Sequence, residues 1–229
     1  MVQTTIIIPV KDEEDGLEHL LREYSSSELY DDEEIQFIFV IDGRTSDNSR
    51  EIASRFSQKI IDQKESHGKG SAIQQAVRVW KKNPTELVIF LDADGSYPFN
   101  SVISVLSELN EGADIVSGSR FLNNRGRPVG MSRLHYIGNK LLSFFSRLRN
   151  GRKISDLCTG LWGFKSKALI DIKIQSSGFD LEAELFGRSR RLKLNHVETP
   201  VNWNQRKGGH SKLRSLTDGF IILLRIIRT

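Results

Sequence analysis

The sequence predicts an α/β fold in which helices cover a central sheet of mostly parallel strands. Short runs rich in β-branched and aromatic residues alternate with longer segments of helical periodicity in the first half of the chain, as in β-α-β units. Each run also leads into a polar loop. Because open α/β sheets bind ligands at the carboxyl ends of their strands, we expect these loops to share one crevice.

Four strands and four helices are predicted in the first half. Continuous apolar runs predict buried strands at residues 4–10, 34–41, 87–92 and 113–119. Amphipathic patterns between them predict helices at residues 13–29, 46–56, 70–82 and 100–110. Three of the four loops that follow the strands contain aspartate, which concentrates acidic side chains at the predicted crevice.

The second half is less regular. Helices are expected at residues 133–149 and 181–192, and a strand at residues 194–203. No linker rich in Pro, Gly or Ser interrupts the chain, so we predict one domain over residues 1–215. Residues 216–229 predict an apolar helix that contains Arg225 and Arg228 and is shorter than the ~20 residues of a membrane span. It is expected to lie in a membrane interface or, alternatively, to pack on its own domain or on a partner.

Charge is distributed unevenly along the chain. The formal net charge is +4, yet residues 1–119 contain 11 Lys and Arg against 22 Asp and Glu, whereas residues 120–229 contain 22 against 7. A basic half suits an anionic partner, such as phosphate ligands or an anionic membrane surface, and a solvated basic face is the alternative. We expect no nucleic-acid partner, because basic and aromatic residues do not alternate and no nucleic-acid module is present.

The single cysteine, Cys158, excludes an internal disulfide and a cluster of thiolate metal ligands. We interpret it as a small packed residue and not as a nucleophile, because nothing nearby in the sequence would lower its pKa. A chain without disulfides suits a reducing compartment, and residues 1–10 lack the basic region of a signal peptide. These observations predict a cytoplasmic location.

The stretch FLDADGSYP, residues 90–98, places two carboxylates directly after a buried strand. Asp92 and Asp94 offer the hard oxygen ligands that Mg²⁺ or Mn²⁺ prefers, and such ions are commonly held by one or two carboxylates together with substrate phosphates. An aspartate-rich turn is the alternative interpretation. We predict a metal site.

Other motifs narrow the class of ligand. Neither Gly-x-Gly-x-x-Gly after the first strand nor Gly-x-x-x-x-Gly-Lys-Ser/Thr occurs, which argues against a dinucleotide-dependent dehydrogenase and a P-loop NTPase. The segment HGKGSA, residues 67–72, opens a predicted helix and offers Lys69 and backbone N–H groups to an anion. Basic residues also fall in loops at residues 118–121, 132–140 and 204–212, as expected for phosphate recognition.

Eight motifs in order give the sequence a resemblance to the family 2 glycosyltransferases of GT-A fold, and within them to the polyprenyl-phosphate group that includes dolichyl-phosphate mannose synthases. They are IIIPVKDEED, VIDGRTSDNS, HGKGSA, LDADGSYP, ADIVSGSRF, SDLCTGLWGFK, GFDLEAEL and VNWNQRKGGHSKL. The resemblance implies a single Rossmann-like domain with a mixed, mostly parallel central sheet flanked by helices. It also implies a nucleotide-sugar-binding half at residues 1–119 and an acceptor-binding half at residues 120–215.

The resemblance assigns roles to individual residues. It implies that the nucleotide sugar is bound by Pro9, Val10, Lys11, Glu13, Val40, Asp42, Lys69, Asp92, Ala93 and Asp94. It implies a metal site, for Mg²⁺ or Mn²⁺, at Asp92, Asp94 and Ser96, with Ser96 where the mannose synthases carry a glutamine. It implies phosphate and acceptor contacts from Arg120, Arg133, Arg206 and Lys212, and catalytic roles for Asp94, Asp156, Arg120 and Arg133. Lys11 stands where the family often has an aromatic residue, which removes a stacking surface beside the base.

The implied reaction is an inverting sugar transfer from GDP-mannose or UDP-glucose to dolichyl or another polyprenyl phosphate. A lipid phosphate is already ionised, so it needs no strong base; a sugar hydroxyl would need one, and Asp156, Glu182 or Glu184 would be the candidates. The alternatives are therefore a transferase that acts on a saccharide hydroxyl and a non-catalytic nucleotide-sugar-binding module. A lipid acceptor also predicts peripheral association with the cytoplasmic face of a membrane, on the lipid surface or on an integral membrane partner.

Overall fold

Strands and helices alternate along the chain in the computed structural model, which describes residues 3–30, 34–57, 59–63, 67–122, 126–208, 212 and 217–229. The strands are β1 (Thr4–Val10), β2 (Ile35–Asp42), β3 (Ile60–Gln63), β4 (Leu87–Leu91), β5 (Ile115–Ser119), β6 (Leu161–Lys165) and β7 (His196–Pro200). The helices are α1 (Glu14–Ser25), α2 (Ser49–Ser54), α3 (Lys69–Trp80), α4 (Asn100–Asn110), α5 (Arg133–Asn150), α6 (Ser166–Ile172), α7 (Leu181–Arg191) and α8 (Thr217–Arg228).

The strands form one sheet in the order β3-β2-β1-β4-β6-β5-β7. All neighbouring pairs are parallel except the two that involve β6, which runs antiparallel to β4 and β5. The predicted α/β class and the mixed, mostly parallel sheet are confirmed. Because β4 and β5 both run antiparallel to β6, they run in the same direction as each other. The carboxyl ends of β1, β2, β3, β4, β5 and β7 therefore lie at the same end of the sheet.

The two predicted functional halves, residues 1–119 and 120–215, both contribute strands to the one sheet. Strand β6, from the second half of the chain, lies between β4 and β5 of the first half. Its pairing with β4 extends from Leu87 opposite Lys165 to Leu91 opposite Leu161. The sheet is therefore shared, and a nucleotide-binding and an acceptor-binding half remain predictions about function, not about folding units.

Two layers of helices bury the faces of the sheet. Because successive residues of a strand face opposite sides, Ile6 and Ile8 of β1 belong to the core under α1, α2 and α4, whereas Ile7 belongs to the core under α3, α6, α7 and α8. All three side chains are completely buried. This double burial explains why the strands read as continuous apolar runs.

Several element boundaries differ from those predicted. Helix α1 ends at Ser25 and not at residue 29. The hydroxyl groups of three consecutive serines, residues 25–27, donate hydrogen bonds to backbone carbonyls of the preceding turn, and such bonds compete with continuation of the helix. Strand β3 was not predicted, because its four residues are too short and too polar to show a pattern. Helix α6 and strand β6 also came without an assignment from the sequence, since Gly163 interrupts the apolar run.

Helix α5 is amphipathic in the reverse sense. Its 18 residues follow the N-cap Ser132, whose side chain accepts the His135 N–H, and its buried positions are Asn139, Ser143 and Ser146. The apolar side chains point outwards: Leu134, Ile137, Leu141, Phe144, Phe145 and Leu148 are all exposed. Amphipathic helices normally bury their apolar stripe. Within the described residues no helix combines the length and the apolar character needed to cross a membrane.

Helix α8 is attached to the domain along one face. Ile222 and Ile226 are buried, and Arg225 donates from Nε to Oδ2 of Asp180 at 2.7 Å. Residues on the other side, including Phe220, Ile221 and Ile227, are exposed. One face of α8 thus packs on the domain, and the opposite face is exposed. Residues 213–216, which precede the helix, lie outside the described residues.

Candidate active site

A cavity of about 990 Å³ opens at the carboxyl ends of β1, β2 and β4, a volume typical of small-molecule sites. One part of it, called here the polar end, is lined from β1, β2, β3, α3 and the loop after β4, together with Arg206 and Lys212. The other part, the apolar end, lies between α5 and α8. It is lined by Leu134, Leu141, Leu142, Phe145, Phe220, Ile222 and Leu223.

Nearly all residues that the sequence predicted for the site line this cavity. They are Pro9, Val10, Lys11, Glu13, Val40, Asp42, Lys69, Asp92, Ala93, Asp94, Ser96, Arg120, Arg206 and Lys212. Two predicted residues do not line it: Arg133 is exposed at the start of α5, and Asp156 is completely buried. The sequence motifs thus converge in space, while the roles assigned to them stay predictions.

Two glycines allow other backbone segments to approach the loop after β4 closely. A Cβ on Gly16 of α1 would come within 2.6 Å of the backbone of Asp94, and a Cβ on Gly160 would come within 1.8 Å of Oδ2 of Asp92. Neither position has room for a side chain. Each aspartate is therefore packed closely against one glycine, Asp94 against Gly16 and Asp92 against Gly160.

Lys69 connects two carboxylates from distant parts of the chain. Its Nζ lies 2.7 Å from Oδ1 of Asp92 and 2.7 Å from Oε1 of Glu182 at the start of α7. Burial alone would lower the pKa of Lys69, but the two carboxylates raise it above its usual range. Burial raises the pKa of Glu182, and Lys69 opposes that effect. Lys69 is thus a fixed cation at the base of the polar end.

A second ionic cluster joins the first and last parts of the chain. Arg206 lies 2.6 Å from Oε1 of Glu13 through Nη1 and 2.8 Å from Oδ2 of Asp94 through Nη2. Lys212 Nζ lies 3.0 Å from the same Glu13 oxygen. The pKa of Glu13 is raised by burial, against the influence of these two cations. The segment 209–211 between them lies outside the described residues.

The acidic loop has the composition of a divalent-metal site. Asp92, Asp94 and Ser96 all line the cavity with oxygen ligands, and Oε2 of Glu13 is buried without a hydrogen-bond partner. Among the described residues no three His, Cys, Asp or Glu side chains cluster closely enough to hold a metal by themselves. The residues fit a cation whose other ligands come from a bound phosphate or water. Such a cation would replace Arg206 as the partner of Asp94.

Asp156 acts on the cavity through Arg120. It accepts from Arg120 Nε at 2.6 Å and Nη2 at 2.7 Å and from Asn139 Nδ2 of α5 at 2.6 Å. Because Asp156 is buried and has both oxygens engaged, it does not itself face the cavity; it holds the guanidinium that does. Sequence reasoning missed Asn139, since a polar residue inside a helical pattern gives no sign of its partner.

Of the three carboxylates considered as bases, only Glu182 lines the cavity. Glu184 is completely buried and accepts the backbone N–H groups of Gln175 and Ser176 at 2.9 and 2.7 Å. Asp156 is held by Arg120, and Glu182 is paired with Lys69. Each of the three candidates therefore already has a structural partner.

Arg44 is a cavity residue that the sequence analysis did not identify. It lies two residues beyond Asp42 and donates from Nε and Nη2 to the two oxygens of that carboxylate, at 2.9 and 2.8 Å. The hydrogen bonds from Arg44 hold the pKa of Asp42 at about 2, against the effect of burial. The Asp-x-Arg spacing after a strand was the available signal.

The apolar end was also missed, although its residues were visible in the sequence. The spacing of three and four residues between Leu134, Ile137, Leu141, Phe144 and Leu148 predicts one apolar helix stripe. A sequence pattern does not say whether such a stripe faces the core or the solvent. Here the polar Asn139 stripe is turned inward by its bond to Asp156.

Comparison with known proteins places the chain in a family. Residues 5–173 match the family described as Glycosyl transferase family 2. The chain is 31% identical over 200 residues to Glycosyltransferase AglJ of Haloferax volcanii, covering 87% of this chain and 64% of that protein. It is 29% identical over 192 residues to the Dolichyl-phosphate hexose transferase of the same organism, covering 83% of this chain and 79% of that protein.

A solved structure shows the same fold. Glucosyl-3-phosphoglycerate synthase from Mycobacterium tuberculosis, in complex with Mn²⁺, UDP and glucosyl-3-phosphoglycerate, superimposes with a TM-score of 0.75 at 17% identity, covering 99% of this chain and 79% of that one. At this identity the likeness establishes the fold alone, and it confirms the GT-A fold implied by the sequence motifs. The match over residues 5–173 shows that the chain belongs to glycosyl transferase family 2.

Proposed function

We propose that the protein is an inverting, metal-dependent glycosyltransferase that moves mannose or glucose from a nucleotide sugar to dolichyl or another polyprenyl phosphate. The observation that carries this proposal is the continuity of the cavity, whose polar end contains paired cations and carboxylates and whose apolar end lies between two helices. A polyprenyl phosphate has the same division into an ionised head and an apolar chain.

The polar end suits the diphosphate of the donor. A divalent cation at Asp92, Asp94 and Ser96 would supply positive charge to the leaving diphosphate. Arg206 contacts Asp94 of this loop, and Lys212 contacts Glu13, which also binds Arg206; each cation would exchange its carboxylate for a phosphate of the donor. Charge-assisted contacts of this kind stabilise a developing diphosphate anion.

An acceptor that needs no base agrees with the carboxylates of the site. Asp156 and Glu184 do not line the cavity, and Glu182 is paired with Lys69 through Oε1, so none of the three presents an unpaired carboxylate to a hydroxyl group in the cavity. An ionised phosphate oxygen attacks without losing a proton. Arg120, fixed by Asp156 and lining the cavity, is the cation best placed to bind that phosphate.

The outward face of α5 supports a membrane-bound acceptor. Its exposed apolar residues lead to the apolar end of the cavity through Leu134, Leu141 and Phe145, which belong to both. Lys140, Arg147 and Arg149 on the same helix are also exposed, as suits an anionic lipid surface. We propose peripheral binding through α5, with α8 contributing only the face that does not pack on the domain.

Names of relatives agree with a lipid acceptor but do not assign one. The name of the Dolichyl-phosphate hexose transferase of Haloferax volcanii includes a lipid phosphate. The mycobacterial synthase, in contrast, was solved in complex with glucosyl-3-phosphoglycerate. The chain spans 64% of the length of AglJ, and the cytoplasmic location remains a prediction from the sequence. The acceptor is therefore the point to test first.

The test is an incubation with Mn²⁺ and labelled GDP-mannose or UDP-glucose, with dolichyl phosphate, 3-phosphoglycerate or a saccharide as acceptor. We expect a labelled product in the lipid phase and none on 3-phosphoglycerate. Transfer to 3-phosphoglycerate alone would contradict the lipid acceptor. Transfer to a saccharide hydroxyl that is abolished by Glu182→Gln would instead support the second type of transferase. Nucleotide-sugar binding without any transfer would support a non-catalytic module.

A further inference from the structure

The β2 side of the polar end is formed by two residues that are locked to each other. Asp42 accepts the backbone N–H of Arg44 and its Nε on Oδ1, both at 2.9 Å, and Nη2 on Oδ2 at 2.8 Å. His67 Nδ1 lies 3.3 Å from the same Oδ1. Both carboxylate oxygens of Asp42 are therefore engaged before any ligand arrives.

Arg44 is far more exposed than Asp42, and both residues line the cavity. The Asp42 side chain is 6% exposed, whereas that of Arg44 is 53% exposed. An arginine has five N–H donors, of which the contacts with Asp42 use two. Three side-chain N–H donors of Arg44 therefore remain outside the contact with Asp42.

Among the residues that β1, β2, β3, α3 and their loops contribute to the cavity, Arg44 carries the largest planar group. The other lining residues that β1, β2, β3, α3 and their loops contribute are Pro9, Val10, Lys11, Glu13, Val40, Asp42, Gln63, Gly68, Lys69 and Ala72. None of these described residues is aromatic. Planar bases stack on arginine as well as on aromatic side chains, and base carbonyl groups accept from its N–H groups.

We propose that Arg44 contacts the base of the nucleotide donor and that Asp42 is the support that fixes its plane. Arg44 thereby helps to determine which nucleoside diphosphate binds. The inference rests on the proposed function, because it requires a donor that carries a nucleotide. It assigns to Asp42 an indirect role, in place of direct contact with the base.

Isothermal titration with UDP, GDP and inorganic pyrophosphate, each in the presence of Mn²⁺, tests this role. Arg44→Ala should weaken binding of at least one nucleoside diphosphate by about tenfold, which corresponds to about 1.4 kcal/mol, and leave pyrophosphate binding unchanged. Arg44→Lys keeps the charge but loses the fixed plane, so its affinity should resemble that of Arg44→Ala.

Arg50→Ala is the matched control. Arg50 makes the same two-pronged contact with Asp62, at 3.0 and 3.1 Å, but it does not line the cavity. Its loss should change none of the affinities.

Three results would overturn the role of Arg44. They are unchanged nucleotide affinity in Arg44→Ala, an equal loss of pyrophosphate affinity, and tighter nucleotide binding, which would mean that Arg44 occupies the place of the base. Failure of the unaltered protein to bind either nucleotide would overturn the proposed function itself.

Discussion

At the polar end of the cavity, Lys69, Arg120 and Arg206 each have a carboxylate within 2.8 Å, whereas at the apolar end Leu134, Leu141 and Phe145 remain exposed. The two ends therefore gain free energy from ligands in different ways. A ligand at the polar end replaces existing ionic partners, so its net gain depends on geometry. A ligand at the apolar end removes exposed apolar surface from water, so its gain depends on area.

The largest effect should follow from removing the shared cation of the polar end. Lys69→Met leaves Asp92 and Glu182 without the charge between them, and breaking a buried pair in this way costs about 3–5 kcal/mol. Urea denaturation should show that loss in the free energy of unfolding. Adding Glu182→Gln should restore part of it, and Lys82→Met, at an exposed position, should change little. A loss below about 1 kcal/mol in Lys69→Met would break the contrast between the two ends.

Acidification should weaken the scaffold that both ends share. His196 is buried between Trp162 and Phe186, and burial lowers its pKa from 6.5 to about 3. The unfolded chain therefore binds a proton below pH 6.5 that the folded chain does not bind until about pH 3. The contribution of neutral His196 to the free energy of unfolding is fully present above pH 6.5. Below that pH the free energy of unfolding should fall by about 1.4 kcal/mol per pH unit, which gives a loss of about 2 kcal/mol at pH 5.

Urea denaturation of the unaltered protein and of His196→Gln between pH 7 and pH 5 measures how much His196 contributes to the pH dependence of the free energy of unfolding. The variant should lack this part of the pH dependence, whatever its stability at pH 7. Identical slopes for the two proteins would show that His196 does not contribute to it.

Cation binding should distinguish the carboxylates of the polar end from those elsewhere. Asp94→Asn removes a charged oxygen ligand from the cavity, and we expect the affinity for Mn²⁺ in the presence of UDP to fall at least about tenfold. Paramagnetic resonance of free Mn²⁺ gives the bound fraction. Asp114→Asn is the control, because Asp114 bonds to Asn195 outside the cavity. Equal Mn²⁺ affinity for Asp94→Asn and the unaltered protein would remove the metal from the proposed site.

The smallest effect is expected at the apolar end. Ile137 is 63% exposed on α5, so Ile137→Ser should leave stability unchanged but reduce co-sedimentation with anionic vesicles about threefold to tenfold, through loss of buried apolar area. Leu192→Ser, at a residue 44% exposed in another part of the chain, should have no effect. Unaltered pelleting of Ile137→Ser would indicate that the α5 face binds something other than lipid.

The same contrast separates what could be predicted from the sequence and what could not. Residues of the polar end follow predicted strands directly, so their convergence at one sheet edge was predictable from chain direction alone. Asp92 and Asp94 illustrate this, since the strand before them fixes their position. By contrast, the pairing of Asp156 with Arg120 joins residues 36 positions apart, which no local pattern reveals.

The orientation of α5 and the place of β6 were unpredictable for related physical reasons. The apolar stripe of α5 alone would favour burial of the apolar face. The polar face is buried instead because Asn139 donates a hydrogen bond to the buried Asp156. A five-residue strand such as β6 carries no information about its direction. Both features are decided by tertiary contacts and not by propensity.

The position of β6 has a consequence for how the chain is synthesised. Strand β5 pairs only with β6 and β7 in the described sheet, and β6 leaves the ribosome more than forty residues after β5 begins. Until β6 is released, the strand edges of β4 and β5 that later pair with β6 have no hydrogen-bonding partner. Unpaired strand edges make partly folded chains prone to aggregation. We expect a nascent chain that has released residues 1–130 from the ribosome to bind chaperones more strongly than one that has released residues 1–200.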